Sequence, residues 1–319
     1  MIAPAAGETA MSDEVLAAIW RRRVGWSRAA DKLKCKITYA RTAALLLSVL
    51  GAVLATLAAT LLAEAPAWRT TCAGISAALL ATATFITAQF LTFDAVRAWI
   101  RARSVSEQIK AEVYTFRAGA APYGAAGDIR VLQRKVNALE EQVRDLERYV
   151  AGVAINPTNP PPAFSPETYV EARIEQQIEE YYRPKARLYA RLLATFRAFE
   201  IALGLAAALL AGLAAYLAGI ESDATVPGGA NADVAAWIAV LTTLGASLAA
   251  HIAAGRYEFL LMSFYATARR LEDLVNEWRA AGAPTEPQEW TAFVAAAEEA
   301  ISIENESWLA KWTERDRGA

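Results

Sequence analysis

The sequence predicts an all-α membrane protein in which four transmembrane helices form two helical hairpins continuous with a cytoplasmic helical bundle. Long runs without any charged residue are the first observation behind this fold. A helix rises about 1.5 Å per residue, so a run of about 20 residues crosses a hydrocarbon core of about 30 Å. The four runs are Thr42–Leu62, Thr70–Phe93, Ile201–Ile220 and Val234–Gly255.

The spacing of these runs is the second observation. Only Ala63–Arg69 separates the first two and only Glu221–Asp233 separates the last two, so the runs pair into two hairpins. The alternative is a large alanine-rich soluble bundle with buried core helices. Runs of about 10–14 residues would leave that alternative open, but all four runs are longer. They also lack the Lys or Glu that the wet side of a soluble helix carries.

The distribution of Lys and Arg is the third observation, and it predicts the topology. Basic residues precede the first span, follow the second and precede the third. The loop Glu221–Asp233 has acidic residues but neither Lys nor Arg, and Ala63–Arg69 has one Arg. Because basic residues are retained on the cytoplasmic side, we expect both termini and the middle segment in the cytoplasm, with the hairpin tips outside.

The same order of elements occurs in each half of the chain and predicts a tandem of two units. Each half has a basic amphipathic helix, a span, a short loop, a second span, a polar helix and a further cytoplasmic helix. We place the first unit at 12–155, a proline-rich linker at 156–166 and the second unit at 167–315. The aligned pairs include Trp26 with Tyr182, Ala30 with Ala186, Ile109 with Leu271 and Val113 with Val275.

Prolines define the linker. Proline lacks an amide hydrogen and fixes φ, which excludes a helix here and predicts an extended, semi-rigid tether. Ser165 directly before Pro166 is a suitable start for the next helix. The linker prolines are Pro157, Pro160, Pro161, Pro162 and Pro166.

Residues 129–150, upstream of the linker, carry apolar side chains at heptad a and d spacing and predict a coiled-coil helix. The partner of this seam is either another subunit or the closing helix of the same chain, which we place at 288–312. Thr285 and Gln288 have the spacing of a capping box for the closing helix. Its apolar residues are Trp290, Phe293, Ile301, Trp308 and Trp312.

Two spans flanked by helices, with an approach such as Tyr182–Ala186 (YRPKA) and an ending such as Glu304–Trp308 (ENESW), resemble SLATT domains. The name stands for SMODS and SLOG-associating two-transmembrane effector. Two unlike units in tandem are a known arrangement, and the resemblance covers nearly all of the chain from about Glu14.

The resemblance implies a membrane effector of the bacterial inner (plasma) membrane in an antiphage defence system driven by nucleotide second messengers. Such domains are thought to assemble into pores that compromise the membrane of an infected cell. The chain shows no nucleotidyltransferase and no SLOG-like sensor. The resemblance therefore implies a separate nucleotide-sensing or signal-producing protein as partner, unless the helices bind the signal directly.

Composition argues against catalysis. The chain has one histidine and two cysteines, without Cys/His metal spacing or a glycine-rich phosphate loop. We therefore expect no enzyme, no cofactor and no metal site. The net charge of −2 gives no basic footprint for nucleic acid.

Polar residues inside the spans are the candidate functional residues, because in hydrocarbon they need partners or water. Thr243, Ser247 and His251 form a stripe on the fourth span, and the repeat alignment places Gln89 at the depth of His251. Together with Thr82 on the second span, they are candidates for lining an aqueous path. The alternative is hydrogen bonding between helices, worth about 0.6 kcal/mol per bond.

Small residues and basic residues suggest two further surfaces. Small residues at four-residue spacing predict close helix packing in the first and third spans. Basic residues beside the membrane are candidates for contact with lipid headgroups or with the phosphates of a second messenger. Glu200 is expected to pair with Arg197. The packing candidates are Gly51, Ala55, Gly204, Ala208 and Gly212, and the basic candidates are Arg21, Arg22, Arg23, Arg183 and Lys185.

Three functions follow from this fold. The first is an oligomeric pore or ion channel, since four alanine-rich spans are too few to enclose a water path and a homo-oligomer would have to supply it. The second is a non-conducting membrane scaffold that recruits soluble partners through its cytoplasmic helices. A secondary transporter is less well supported, because the spans lack the Gly/Pro-interrupted helices of such sites.

Overall fold

The computed structural model describes residues 6–60, 65–124, 127–154, 158–221 and 230–313. Within these ranges every regular element is a helix, and four helices are long and apolar enough to cross a membrane. The prediction of an all-α membrane protein is therefore confirmed. The α-helices are α1 (Ala6–Ala59), α2 (Pro66–Phe90), α3 (Phe93–Arg117), α4 (Ile129–Glu141), α5 (Glu147–Val150), α6 (Pro166–Tyr169), α7 (Arg183–Glu221), α8 (Ala230–Gly255), α9 (Tyr257–Ala280) and α10 (Pro287–Thr313).

The chain divides into two compact units. We call the first the polar bundle; it comprises Met1–Cys35, Phe93–Arg187 and Leu261–Ala319. We call the second the apolar unit; it comprises Lys36–Thr92 and Leu188–Leu260 and contains the four charge-free runs. Of the two predicted hairpin tips, residues 61–64 and 222–229 lie outside the described part of the chain.

The second and fourth spans each end at a break in the helix. After α2 the helix is interrupted at Leu91 and Thr92 before α3 begins. After α8, Arg256 has a left-handed backbone with φ of 50°, and α9 begins at the next residue. Gly255 is required at this break, since an added Cβ would lie 2.1 Å from the Tyr257 ring. The first and third spans continue α1 and α7 without a break.

Residues paired by the repeat alignment have matching burial. Trp26 in α1 and Tyr182, just before α7, are both buried. The helices α3 and α9, which follow the breaks, have 25 and 24 residues. This agreement supports the tandem, although its unit boundaries stay a prediction. The other buried pairs are Ala30 with Ala186, Ile109 with Leu271 and Val113 with Val275.

The predicted continuous coiled-coil helix over 129–150 is wrong. The helix ends at Glu141, and a 3-10 turn, Arg144–Leu146, precedes the short α5. Arg101 stabilises this turn by donating to the Gln142 carbonyl oxygen at 2.7 Å and to both Asp145 carboxylate oxygens. The apolar residues of the seam are still buried, but they pack within the polar bundle of the same chain. They include Leu132, Val136, Val143 and Leu146.

α1 and α3 are the partners of this broken segment. Within the polar bundle, α4 packs on α3, and α1 holds α4 by hydrogen bonds and an ion pair. Arg22 pairs with Glu140 and donates to Asn137 at 2.8 Å, while the Trp26 indole donates to Glu140 at 3.0 Å. The seam therefore needs neither another subunit nor the closing helix.

The linker and its helix start follow the sequence pattern. Residues 158–164 form no helix, and Pro157 lies outside the described residues. The amide of Phe164 donates to the Arg117 carbonyl at 3.0 Å, and its ring stacks on Tyr114 with centroids 5.6 Å apart. Ser165 caps the next helix in a capping box with Thr168.

The closing helix α10 begins at Pro287, which takes the first helical position, so the predicted cap at Thr285 is one residue too early. α10 packs on α3, and the Trp290 indole donates to the Ala118 carbonyl at 2.8 Å. Phe293 stacks on Trp290 with centroids 5.6 Å apart. The side chains of Trp308 and Trp312 lie outside the described residues.

A buried ion pair within the polar bundle joins α10 to the segment before α7. Arg173 is 1% exposed and donates through two nitrogens to Glu298, at 2.8 and 2.5 Å. The Tyr169 hydroxyl donates to the same carboxylate at 2.9 Å, and the Arg173 guanidinium lies 4.2 Å from the Tyr114 ring centroid. Arg173 belongs to one of two π-helical stretches, Val170–Glu175 and Gln177–Tyr182. Such wide turns are rare and often mark functional positions.

We expect Arg173→Met to lower the free energy of unfolding by about 3–5 kcal/mol, because it leaves Glu298 buried without its counter-charge. The double variant Arg173→Met/Glu298→Met should recover most of that loss. Denaturant titration of the detergent-purified protein measures both. The control is Arg269→Met, which removes an exposed pair with Asp273 and should cost at most about 1 kcal/mol. Equal losses for Arg173→Met and Arg269→Met would contradict the assignment.

Candidate functional site in the spans and the buried cationic cluster

The first and second spans approach each other closely at Gly51. The Ser76 hydroxyl on α2 donates to the Gly51 carbonyl on α1 at 2.7 Å. A Cβ at Gly51 would lie 2.8 Å from Cγ of Leu80. Gly51 therefore lets α1 and α2 approach more closely than any larger residue at this position would permit. The sequence suggested hydrogen bonds between helices for the threonines of the spans. Ser76, which was not among the candidate residues, makes such a bond.

Of the predicted packing candidates at four-residue spacing, Gly51 is the one that is buried within the described chain. Ala55 is exposed, whereas Ala44, Gly51 and Ala58, which are seven residues apart in the first span, are buried, as is Thr56. Four-residue steps rotate by about 40° each around a helix, whereas seven-residue steps rotate by about 20°, so the second pattern stays on one face.

The third span shows the same difference. Gly204, Ala208 and Gly212 are exposed, and nothing lies within 4 Å of a Cβ added at either glycine. The buried positions of α7 in the apolar unit are Leu193 and Ala207. Within the described chain, a side chain added at Gly204 or Gly212 would therefore begin in open space.

The threonine hydroxyls of the spans are satisfied inside their own helices. Thr82 donates to the Ala78 carbonyl at 2.7 Å, and Thr243 donates to the Ala239 carbonyl at 2.7 Å. Such bonds to the preceding turn are an ordinary alternative to bonds between helices. With its hydroxyl bonded inside its own helix, each threonine can face lipid, water or protein at little cost. The hydrogen bonds of Thr82 and Thr243 therefore do not identify a water path.

Gln89 is exposed in the last turn of α2. Ile75, Thr82 and Gln89 are seven residues apart and share a line along α2, about 100° around the helix from the packed residues Ser76 and Ala83. The larger polar side chain of Gln89 therefore lies on a surface that does not pack within the apolar unit.

His251 lies on a packed face. It is partly buried, its ring makes an edge contact with Phe196 at 5.8 Å, and its Nε2 is 3.4 Å from the Tyr257 hydroxyl. From Thr243 to His251 the stripe rotates towards the buried Val240, so it is exposed at Thr243 and half-buried at Ser247. His251 and Gln89 thus differ in their surroundings, despite their aligned positions.

The predicted basic candidates have different roles. Arg21 is exposed and Lys185 is half-buried. Arg22 belongs to the ion pair with Glu140, and Arg23 lies 4.0 Å from Glu107, so both face protein groups. Arg183 pairs with Glu179 and with Glu272, the latter at 2.8 Å.

Arg197, on α7 just before the third span, pairs with Glu258 and not with the predicted Glu200. Both residues belong to the apolar unit.

Glu107 on α3 is the centre of a buried cationic cluster, which we define as Arg23, Arg103, Glu107 and Lys110. The Glu107 side chain is 10% exposed and lies 2.9 Å from Arg103, 3.9 Å from Lys110 and 4.0 Å from Arg23. Burial alone would raise the pKa of Glu107, but Arg103, Lys110 and Arg23 outweigh it and the pKa is lowered.

Lys110 is the member of this cluster whose charge is least stable. Burial, followed by repulsion from Arg173, lowers the pKa of Lys110 to about 8, and the attraction of Glu107 only partly offsets this. The pairs of Glu107 with Arg103 and Lys110 follow from helical spacing and were open to sequence reasoning. Arg23 and Arg173 come from distant segments, and no local pattern indicates them.

The described residues also include side chains of the kinds that bind metal ions. Among the described residues, no group of three His, Cys, Asp or Glu side chains could hold a metal ion. Cys35 is exposed and Cys72 is half-buried, and both are free thiols.

The fold and these helix surfaces define an all-α membrane protein with four helices able to span a bilayer. Residues 169–308 match the family model described as SMODS and SLOG-associating 2TM effector domain 1. Residues 24–127 match a second family, described as protein of unknown function DUF4231. The resemblance to SLATT domains is thus confirmed, with two different family matches in tandem. No curated protein and no solved structure matches the chain.

We expect Gly51→Leu to destabilise the protein by about 1–3 kcal/mol, because the new side chain must displace Leu80. Gly74→Leu on α2 is the matched control, since its Cβ meets open space. Both changes alter intrinsic helix propensity by the same amount, so their difference reports packing. Thermal unfolding in detergent measures it, and equal effects of the two variants would contradict the packing described for Gly51.

We expect Lys110→Met to be more stable than the original protein at pH 7, by about 2 kcal/mol. The pKa of Lys110 is about 8 in the folded protein, against 10.5 for an ordinary lysine. Below pH 8 the lysine is charged in both states and its full burial cost applies. The advantage of the variant should therefore shrink as pH rises from about 8 towards 10.5.

Thermal unfolding of both proteins across this pH range measures the difference. Arg269→Met is the control, because arginine stays charged throughout the range. A stability difference for Lys110→Met that does not change with pH would contradict the assignment.

Proposed function

We propose that this protein is a membrane effector that acts as an oligomeric pore or ion channel in a bacterial, nucleotide-signalled defence system. The observation that carries the proposal is the match of residues 169–308 to a two-transmembrane effector domain. Four long apolar helices per chain supply the membrane part. A separate protein that senses the nucleotide or produces the signal completes the system.

Exposure of the third and fourth spans supports an oligomer. In the described part of the apolar unit, Leu193 and Ala207 are the buried residues of α7, and Val240 is the buried residue of α8. Interfaces between membrane helices favour small residues. The exposed stripe Gly204, Ala208 and Gly212 has the composition of such an interface.

Exposed polar residues support a water path along the second and fourth spans. The proposal assigns the lining to Gln89, Thr82 and Thr243, all of which are exposed. Ser247 lies at the edge of this surface, and the packed ring of His251 holds the helix end in place.

The proposed location is the bacterial inner membrane, with both termini and the polar bundle in the cytoplasm. The excess of Lys and Arg next to the spans and the acidic second hairpin loop support this orientation.

A non-conducting scaffold is the competing function. Trp290 and Phe293, which that hypothesis offers to soluble partners, are buried in the polar bundle of the same chain. The scaffold therefore has less free contact surface than the sequence suggests.

Recording from the purified protein in planar bilayers tests the proposal. We expect discrete conductance steps, a lower conductance for Gln89→Leu and a changed conductance for Thr82→Val. Thr84→Val is the matched control: it also donates to its own helix, at 3.0 Å, but lies on the other side of α2.

Two results would count against the pore. The first is the absence of steps from a protein whose oligomeric mass shows correct assembly. The second is an equal effect of Thr82→Val and Thr84→Val, which would remove α2 from the lining.

A further inference from the structure

Three cations of the buried cationic cluster share one carboxylate. Arg103 is within hydrogen-bond distance of Glu107 at 2.9 Å, but Lys110 at 3.9 Å and Arg23 at 4.0 Å are not. Nε of Arg23 is buried and has no hydrogen-bond partner in the described part of the chain. Oε1 of Glu107 is also buried without a hydrogen-bond partner in this part of the chain, at 4.0 Å from Arg23. The buried Nε donor of Arg23 therefore has no acceptor within the cluster.

The neighbouring ion pair does not correct this imbalance. Arg173 and Glu298 neutralise each other through two hydrogen bonds, with Tyr169 as an additional donor. Counting the described side chains of the cluster and this pair, four cations face two carboxylates. Buried charge of one sign is costly unless a counter-charge is present.

We propose that the cluster binds an oxyanion of the phosphate type between Arg23, Arg103 and Lys110. The forked donors of a guanidinium match the oxygen geometry of phosphate, and a lysine ammonium adds a point charge. An anion can enter because the side chains of Arg103 and Lys110 are 30% and 17% exposed.

The pKa of Lys110 is lowered first by burial and then by repulsion from Arg173 and Arg23, and the attraction of Glu107 and Glu298 does not outweigh these effects. A bound dianion would attract the Lys110 ammonium and raise its pKa. The inference is independent of conduction, because every residue that carries it belongs to the polar bundle.

The test follows thermal unfolding of the full-length protein in detergent. Inorganic phosphate is titrated against chloride at constant ionic strength, so that general screening stays the same. We expect a saturable rise of the melting temperature. Lys110→Met should melt higher than the original protein without phosphate, yet bind phosphate at least about tenfold more weakly.

Two further variants separate a binding role from a structural one. Lys110→Arg keeps the charge and should keep the phosphate-dependent shift. Arg269→Met removes a cation that pairs with Asp273, away from the cluster, and should also keep the shift. These variants also provide a readout should Lys110→Met fail to fold.

The phosphate group is either free in solution or carried by a lipid, and a second arm distinguishes the two. The protein is placed in nanodiscs of phosphatidylcholine with or without phosphatidate. A shift with inorganic phosphate in both discs identifies a soluble ligand, whereas a shift that needs phosphatidate identifies a lipid headgroup. Both results support the site if Lys110→Met weakens the binding at least about tenfold.

Two results would overturn the proposal. One is the absence of a saturable shift of the melting temperature in the original protein. The other is a shift that Lys110→Met retains in full.

Discussion

Hydrocarbon accepts neither an uncompensated charge nor an unpaired backbone polar group, and this constraint divides the whole chain. Residues without charge form long helices whose amides and carbonyls are satisfied internally, and even the exposed Thr82 donates to its own helix. The buried ion pairs are in the polar bundle, where Arg173 and Glu298 meet. Within the spans, the first two helices meet through close contacts such as the one between Gly51 and Ser76.

Local signals made much of the fold predictable from the sequence. Charge-free runs of sufficient length locate the spans, because a soluble helix of that length carries charged residues on the side that faces water. Prolines locate the linker because each one fixes its own φ and lacks an amide hydrogen. Ser165 locates the helix start because its side chain caps the first turn. The tandem order of elements was visible for the same reason, and two family matches cover its two parts.

Contacts between distant segments were not predictable. Arg22 and Arg23 resemble lipid-binding residues in the sequence, and only the fold brings Glu140 and Glu107 to them. The heptad pattern over 129–150 was correct about burial but not about helix continuity, because Arg101 stabilises a turn within it. Within the described chain, the packing candidates at four-residue spacing are buried at Gly51 alone, because the packed faces depend on how neighbouring helices cross.

The central claim is that the apolar unit is surrounded by lipid. A spin label at Leu209, which is 76% exposed on the third span, tests it in reconstituted vesicles. The account predicts frequent collisions with oxygen, which dissolves in hydrocarbon, and few with a water-soluble nickel chelate. A nickel accessibility equal to that of a label at the exposed Arg269 of the polar bundle would contradict the account.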